Sequence, residues 1–255
     1  MLKAAPTGVI RFDPNGPDGL TPTELDPAAF HKLPDAQHEH VYFADYDLGM
    51  RVGVWDTTTM QEAFGPYPGD EFILVLEGTF QMMDTLDGSG TNVRCETGEC
   101  VIFRNGAPVS WKQDRYLKKF YIVYLDPKAP VPRNVPSTGA IQPLPPDMQL
   151  TEADRMDNPN AAQRDKCLFL NDHGNFSVGV WDSEAMDTGM QPFPRHEFVC
   201  VRAGDVTITE ESGVAHTYSE GDVFFIPSGT ICRWQVSRYV RKFYATLDPS
   251  IRPGV

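Results

Sequence analysis

One stretch of this chain occurs twice. Residues 66–80 read PYPGDEFILVLEGTF, and residues 192–206 read PFPRHEFVCVRAGDV. A single offset of 126 relates Glu71 to Glu197, Gly78 to Gly204, and the tetrad GVWD beginning at Gly53 to its copy at Gly179. Further along the offset falls to 123, pairing Gly98 with Gly221, Gly106 with Gly229, Trp111 with Trp234, and Lys119-Phe120-Tyr121 with Lys242-Phe243-Tyr244. Chance does not keep an acid, a lysine, two tryptophans and several glycines in step, so the chain is an internal duplication of one unit. A period this long means two domains rather than a solenoid. Each copy, at roughly 100 residues, is large enough to bury its own core.

The pattern within each copy is that of strands. Residues 41–56 (VYFADYDLGMRVGVWD) alternate across a turn at 45–49, and residues 166–182 (KCLFLNDHGNFSVGVWD) do the same. In EFILVLEG, Glu71, Ile73 and Val75 share one face and Phe72, Leu74 and Leu76 the other. Hairpin turns are expected at 87–90 and 211–213, and tighter turns at Asn105-Gly106 and Pro227-Ser228-Gly229. No long amphipathic helix interrupts these elements. The fold class is therefore all-β, a closed sandwich or barrel per unit. Residues 1–37, with six prolines, read as an irregular N-terminal arm, and 38–126 as the first domain. Residues 127–163 form a linker, with seven prolines between 127 and 146, and 164–255 form the second domain.

Charge narrows the partners. A formal net charge of −13 repels phosphate backbones and anionic membrane surfaces, so neither nucleic acid nor membrane is expected. No apolar run approaches a membrane span, and the N-terminus lacks a signal-peptide core, which makes the cytoplasm the expected location. Five cysteines without CxxC spacing fit reduced thiols better than a disulfide framework.

Two spacings resemble the cupin motifs. The first is a glutamate followed, after six intervening residues, by glycine (Glu71 to Gly78, Glu197 to Gly204). The second is Gly221-x5-Pro227-x-Gly229, with Gly98-x5-Arg104-x-Gly106 as the copy that has lost its proline. The DEF and HEF tripeptides, the tryptophan after the second motif and the Lys-Phe-Tyr ending are most similar to the (S)-ureidoglycine aminohydrolase-like cupin family. The resemblance implies two tandem cupin (RmlC-like jelly-roll, double-stranded β-helix) barrels in one chain, a bicupin. Such a chain is expected to be a monomer or a homodimer.

A catalytic cupin metal needs a His-x-His before the motif glutamate and a third histidine after the second-motif glycine. Phe64, Pro66 and Val109 hold those places in the first unit, and Met190, Pro192 and Cys232 in the second. No cofactor is expected. The second unit alone offers a remnant for a transition metal, Glu197 and Cys232, with His196 facing the opposite way by alternation. His38-Glu39-His40 reads as a solvated turn ahead of the first strand, and His31, His173 and His216 stand alone.

What recurs in both units is a different set. Glu71, Trp111, Lys119 and Tyr121 in the first, and Glu197, Trp234, Lys242 and Tyr244 in the second, are expected to point into the barrel mouth. Each set combines a carboxylate, an ammonium, a phenol and an indole. The functional reading is a small-molecule pocket for a polar nitrogen-containing or carboxylate metabolite. In it Glu197, Lys242 and Tyr244 are the candidate catalytic groups, and Glu71, Trp111, Lys119, Tyr121, Trp234, Cys232 and His196 bind ligand. The bland reading is a buried Glu–Lys pair kept for stability. Two alternatives stand beside the pocket: a metal-dependent ureidoglycine aminohydrolase-like enzyme, implied by the resemblance alone, and a non-catalytic structural or sensing cupin. Trp55 and Trp181 are read as core, and Asp56 and Asp182 as turn formers.

Overall fold

The computed structural model describes residues 8–85, 90, 92–129, 131, 135–136, 139–158 and 161–251. It resolves into two compact units, Asp13–Pro146 and Asp147–Val255, the latter joined by Met1–Phe12. Among the described residues the helical elements are two 3-10 turns of three residues, Pro27–Ala29 and Glu152–Asp154, and all else that is regular is strand. No described helix is long and apolar enough to cross a membrane. The hairpin turn expected at 87–90 lies, apart from Gly90, outside the described residues.

In the unit Asp13–Pro146, antiparallel strands build two sheets. Asp70–Glu77 and Leu117–Tyr124 lie at the centre of one, flanked by Cys100–Phe103, Ile141–Leu144, Met50–Thr57, Gln37–Asp45 and Thr21–Pro22. The other contains Asn92–Glu96, Thr79–Met83, Pro108–Gln113, Met60–Glu62 and Phe30–Lys32. Alternation sends Ile73, Val75, Val101, Phe103 and Tyr121 from the first sheet, and Phe80, Met82, Cys95 and Trp111 from the second, into one buried cluster. Residues 38–40 are not a solvated turn. They lie within strand Gln37–Asp45, paired with Met50–Thr57, so Glu39 stands beside Trp55 and His38 beside Asp56. The alternation through His40-Val41-Tyr42-Phe43 carries the strand back over these polar residues. The proline-rich segments also contribute short strands. Thr21–Pro22 sits at a sheet edge, where proline's missing N–H costs no ladder bond, and Ile141–Leu144 pairs with Cys100–Phe103.

The second unit uses fewer, longer strands. His196–Glu210 and Ile231–Leu247 each run through what are two strands in the first unit. Both stay continuous in one eight-stranded sheet by absorbing register shifts between Val201 and Ala203 and between Gly204 and Thr207. Its core gathers Val199, Val201, Val206, Ile208, Tyr218, Phe224 and Trp234. Residues Ile10–Arg11 add an edge strand against Val223–Ile226.

The motif glycines mark the bend. Gly78 and Gly204 have φ of +88° and +70°. A Cβ at either would collide with the carbonyl oxygen of Tyr116 or Tyr239 respectively. Only glycine permits the crossing there.

Candidate functional site

The duplicated residues converge in both units. In the first, Lys119 Nζ donates to Glu71 Oε1 at 2.7 Å, with both side chains less than a tenth exposed. The ammonium lies 5.0 Å from the Trp55 ring centroid and 4.9 Å from that of Trp111. In the second, Lys242 Nζ donates to Glu197 Oε1, between Trp181 at 4.8 Å and Trp234 at 4.4 Å. Strand pairing explains the convergence. Lys119 is opposite both Trp55 and Val75, and Lys242 opposite both Trp181 and Val201. Each carboxylate leaves water for a charge-assisted hydrogen bond, and each ammonium gains two ring faces. Trp55 and Trp181, read from sequence as core, thus flank the ion pair.

The GVWD glycine has a role here as well. A Cβ on Gly53 would sit 2.7 Å from the Tyr121 hydroxyl, and Gly179 is equally tight against Tyr244. The bare backbone lets the phenol cross the neighbouring strand. Tyr121 then donates to Glu39 Oε1 at 2.5 Å, and Tyr244 to Asp165 Oδ1 at 2.8 Å. Burial first, then the adjacent carboxylate, pushes both phenols up, so each remains a proton donor at neutral pH.

Around this shared frame the units differ. Glu71 Oε2 also accepts from the Tyr67 hydroxyl, whose ring stacks on Phe103 at 4.8 Å. Phe193 holds the place of Tyr67 in the second unit and stacks on Trp234 at 5.8 Å. Trp111 Nε1 donates to Gln113 Oε1 at 2.9 Å, whereas Val236 stands where Gln113 would be, so Trp234 Nε1 has no such amide to bind. Glu62, beside Lys119 and Glu71, is replaced by Thr188. Burial pushes the Glu62 carboxyl up to about 7, with Lys119 pulling it back and Glu71 adding to the rise.

These differences surround a cavity in the first unit. It has a volume of about 430 Å³ and is lined by Glu62, Glu71, Lys119, Tyr67, Trp55 and Trp111, among others. Such a volume falls in the range of small-molecule sites, about 300–1,000 Å³. Arg51, Glu62 and Tyr67 belong to its wall and were not singled out from sequence, and Glu39, also in the wall, was read there as part of a solvated turn. Glu62 and Tyr67 have unlike counterparts in the second copy, so a search for recurring residues passes over them.

Two other candidates sit elsewhere. His196 faces away from Glu197, stacked on Phe225 with ring centroids 6.0 Å apart and accepting the Ser228 N–H at Nδ1 over 3.1 Å. Cys232 is buried in the second core, where burial pushes its thiol up to about 11. Asp56 and Asp182 do not close turns. Asp56 binds His38 and Tyr116, and Asp182 binds Arg164 and Tyr239, across strands.

The metal that the cupin resemblance implies does not fit these donors. Among the described residues no three His, Cys, Asp or Glu side chains group as an ion site. An ammonium is already hydrogen-bonded to each motif glutamate and takes up the oxygen that a metal ion would need as a ligand.

Comparison with known proteins agrees on the fold. Residues 170–244 match the family model described as the EutQ-like cupin domain. A crystal structure from Pseudomonas syringae pv. tomato str. DC3000, of a protein of unknown function in the DUF861 family, superposes with a TM-score of 0.71. It is 22% identical, and the match covers 94% of this chain and 99% of that one. A cupin 2 conserved barrel domain protein from Leptotrichia buccalis gives a TM-score of 0.58 at 8% identity, covering 85% and 91% of the two chains. Ylba from E. coli, also DUF861, gives 0.52 at 10% identity, covering 100% and 97%. No curated protein matches the sequence. The expected all-β cupin barrel fold is the fold observed, and residues 170–244 match the EutQ-like cupin model.

Proposed function

We propose that this protein binds a small polar metabolite, nitrogen-containing or carboxylate, and that the working pocket is the cavity in Asp13–Pro146. The observation that carries the reading is that cavity, about 430 Å³ in volume, whose wall combines aromatic faces with the Glu71–Lys119 pair and further ionisable groups. Aromatic faces supply contact area at little entropic cost, and the polar groups fix orientation. Glu71 and Lys119 are the anchors, Trp55 and Trp111 the walls, and Arg51 and Glu39 the polar rim. In the second unit Glu197, Lys242 and Tyr244 hold the same frame among more apolar neighbours, and their role is stability. The narrower ureidoglycine aminohydrolase-like reading needs metal donors that neither unit has at the motif positions, so no step is routed through a metal.

The test is a thermal-shift screen of small amines, ureas, amino acids and carboxylates, repeated on Trp55→Ala and Arg51→Met. A compound that raises the melting temperature of the native protein, and fails to do so in both variants, supports the cavity as its site. A compound whose shift survives both substitutions, or a screen in which nothing shifts the protein, counts against it.

A further inference from the structure

The cavity wall carries more acid than base. Glu24, Glu39, Glu62 and Glu71 line it against Arg51 and Lys119. Lys119 is committed to Glu71, and Arg51 lies 3.8 Å from Glu39. Glu24 is exposed. Glu62 is left over. Among the described residues its carboxyl makes neither a hydrogen bond nor an ion pair, although it lies in the wall beside Tyr67 and Trp111. The two indoles already hold the Lys119 ammonium at 5.0 and 4.9 Å, which shows that their faces suit positive charge.

We propose that this cavity takes a small organic cation, an alkylammonium or guanidinium group, with Glu62 as its counter-ion and the aromatic walls as its cage. The inference rests on the reading of the cavity as the ligand site and adds the charge of what enters it. An unpaired carboxyl in a partly dry wall is costly to ionise, and an arriving cation supplies the missing partner. The Thr188 copy offers no such charge.

Proton linkage follows. Burial holds the Glu62 carboxyl near pH 7, with Lys119 and Glu71 the nearest charges acting on it. Tyr67, Tyr121, Glu24, Glu39 and Arg51 share the cavity wall, and the strands paired with Met60–Glu62 carry His31, Lys32 and Lys112. A cation requires the ionised form, so its binding expels the Glu62 proton. Affinity therefore rises about tenfold per pH unit below about pH 7 and levels above it.

The experiment is calorimetric titration of the full chain with ethylammonium, methylguanidinium and acetate from about pH 5.5 to about pH 8.5. It is repeated on Glu62→Gln and on Glu62→Thr, the latter copying the second unit and serving if the former fails to fold. The expected result is saturable cation binding that strengthens with pH, weakens tenfold or more in the variants, and loses its pH slope there. Binding of acetate but not of the cations overturns this inference and leaves the ligand-site reading standing. Cation binding with an unchanged slope in the variants also overturns it. Binding of none of the three, together with an empty metabolite screen, removes both.

Discussion

The two units keep the same inner frame, and each surrounds it differently. Both hold a glutamate–lysine pair between two tryptophans, and both lock a tyrosine onto a carboxylate across a glycine. In the first unit Tyr67, Glu62 and Gln113 lie around that frame, and in the second Phe193, Thr188 and Val236 replace them. The repeated part satisfies the same buried charges in both halves. The unrepeated part is where a ligand preference can reside, because only there are the halves free to differ.

The largest expected effect tests the shared frame. Lys119→Met and Lys242→Met each strand a buried carboxylate, and each is expected to cost about 3–5 kcal/mol in urea denaturation. A loss below about 1 kcal/mol in either would break the equivalence of the two pairs.

The next tests the difference. Because the folded Glu62 is raised from 4.5 to about 7, the folded protein holds the proton more tightly than the unfolded chain. The stability it contributes is present below about pH 4.5 and is lost as pH rises to about 7. Glu62→Gln removes that loss. Denaturation is expected to show a gain of about 1–3 kcal/mol near pH 8 and none near pH 4.5. A gain that does not vary with pH would mean that Glu62 is ionised throughout.

A smaller effect sharpens the contrast. Tyr67→Phe gives the first unit the second unit's residue and removes the phenol from Glu71. It is expected to cost about 1–2 kcal/mol by denaturation, while Phe193→Tyr is expected to give no matching gain, since Glu197 is packed without it.

The repeat made the fold legible. Glu71 and Lys119 were expected to meet from their recurrence in both units together with the cupin resemblance, and the structure brings them within 2.7 Å. Glu39 was hidden for a different reason. It sits between two histidines in a run that looks solvated, and strand pairing with Met50–Thr57 turns it inward. Asp165 holds the corresponding place, so the 126-residue offset carried that signal in the form of one acid for another. Glu62 left no such trace. Its importance comes from the absence of a side-chain partner in a cavity that long-range packing creates. Likewise the 1–37 segment reads as irregular because its prolines mask short strands that exist only by pairing with distant partners.

One of those pairings bears on biosynthesis. Ile10–Arg11 lie against Val223–Ile226, secured by Arg11 on Asp222 at 2.5 Å and by its stacking over Tyr218. A strand synthesised ahead of the first unit is thus needed by the unit translated after it. Until then the first residues have no berth, and the finished second half would show a bare edge without them. Dividing the gene between codons 146 and 147 would therefore not yield two self-sufficient products, even though the two units share one inner frame.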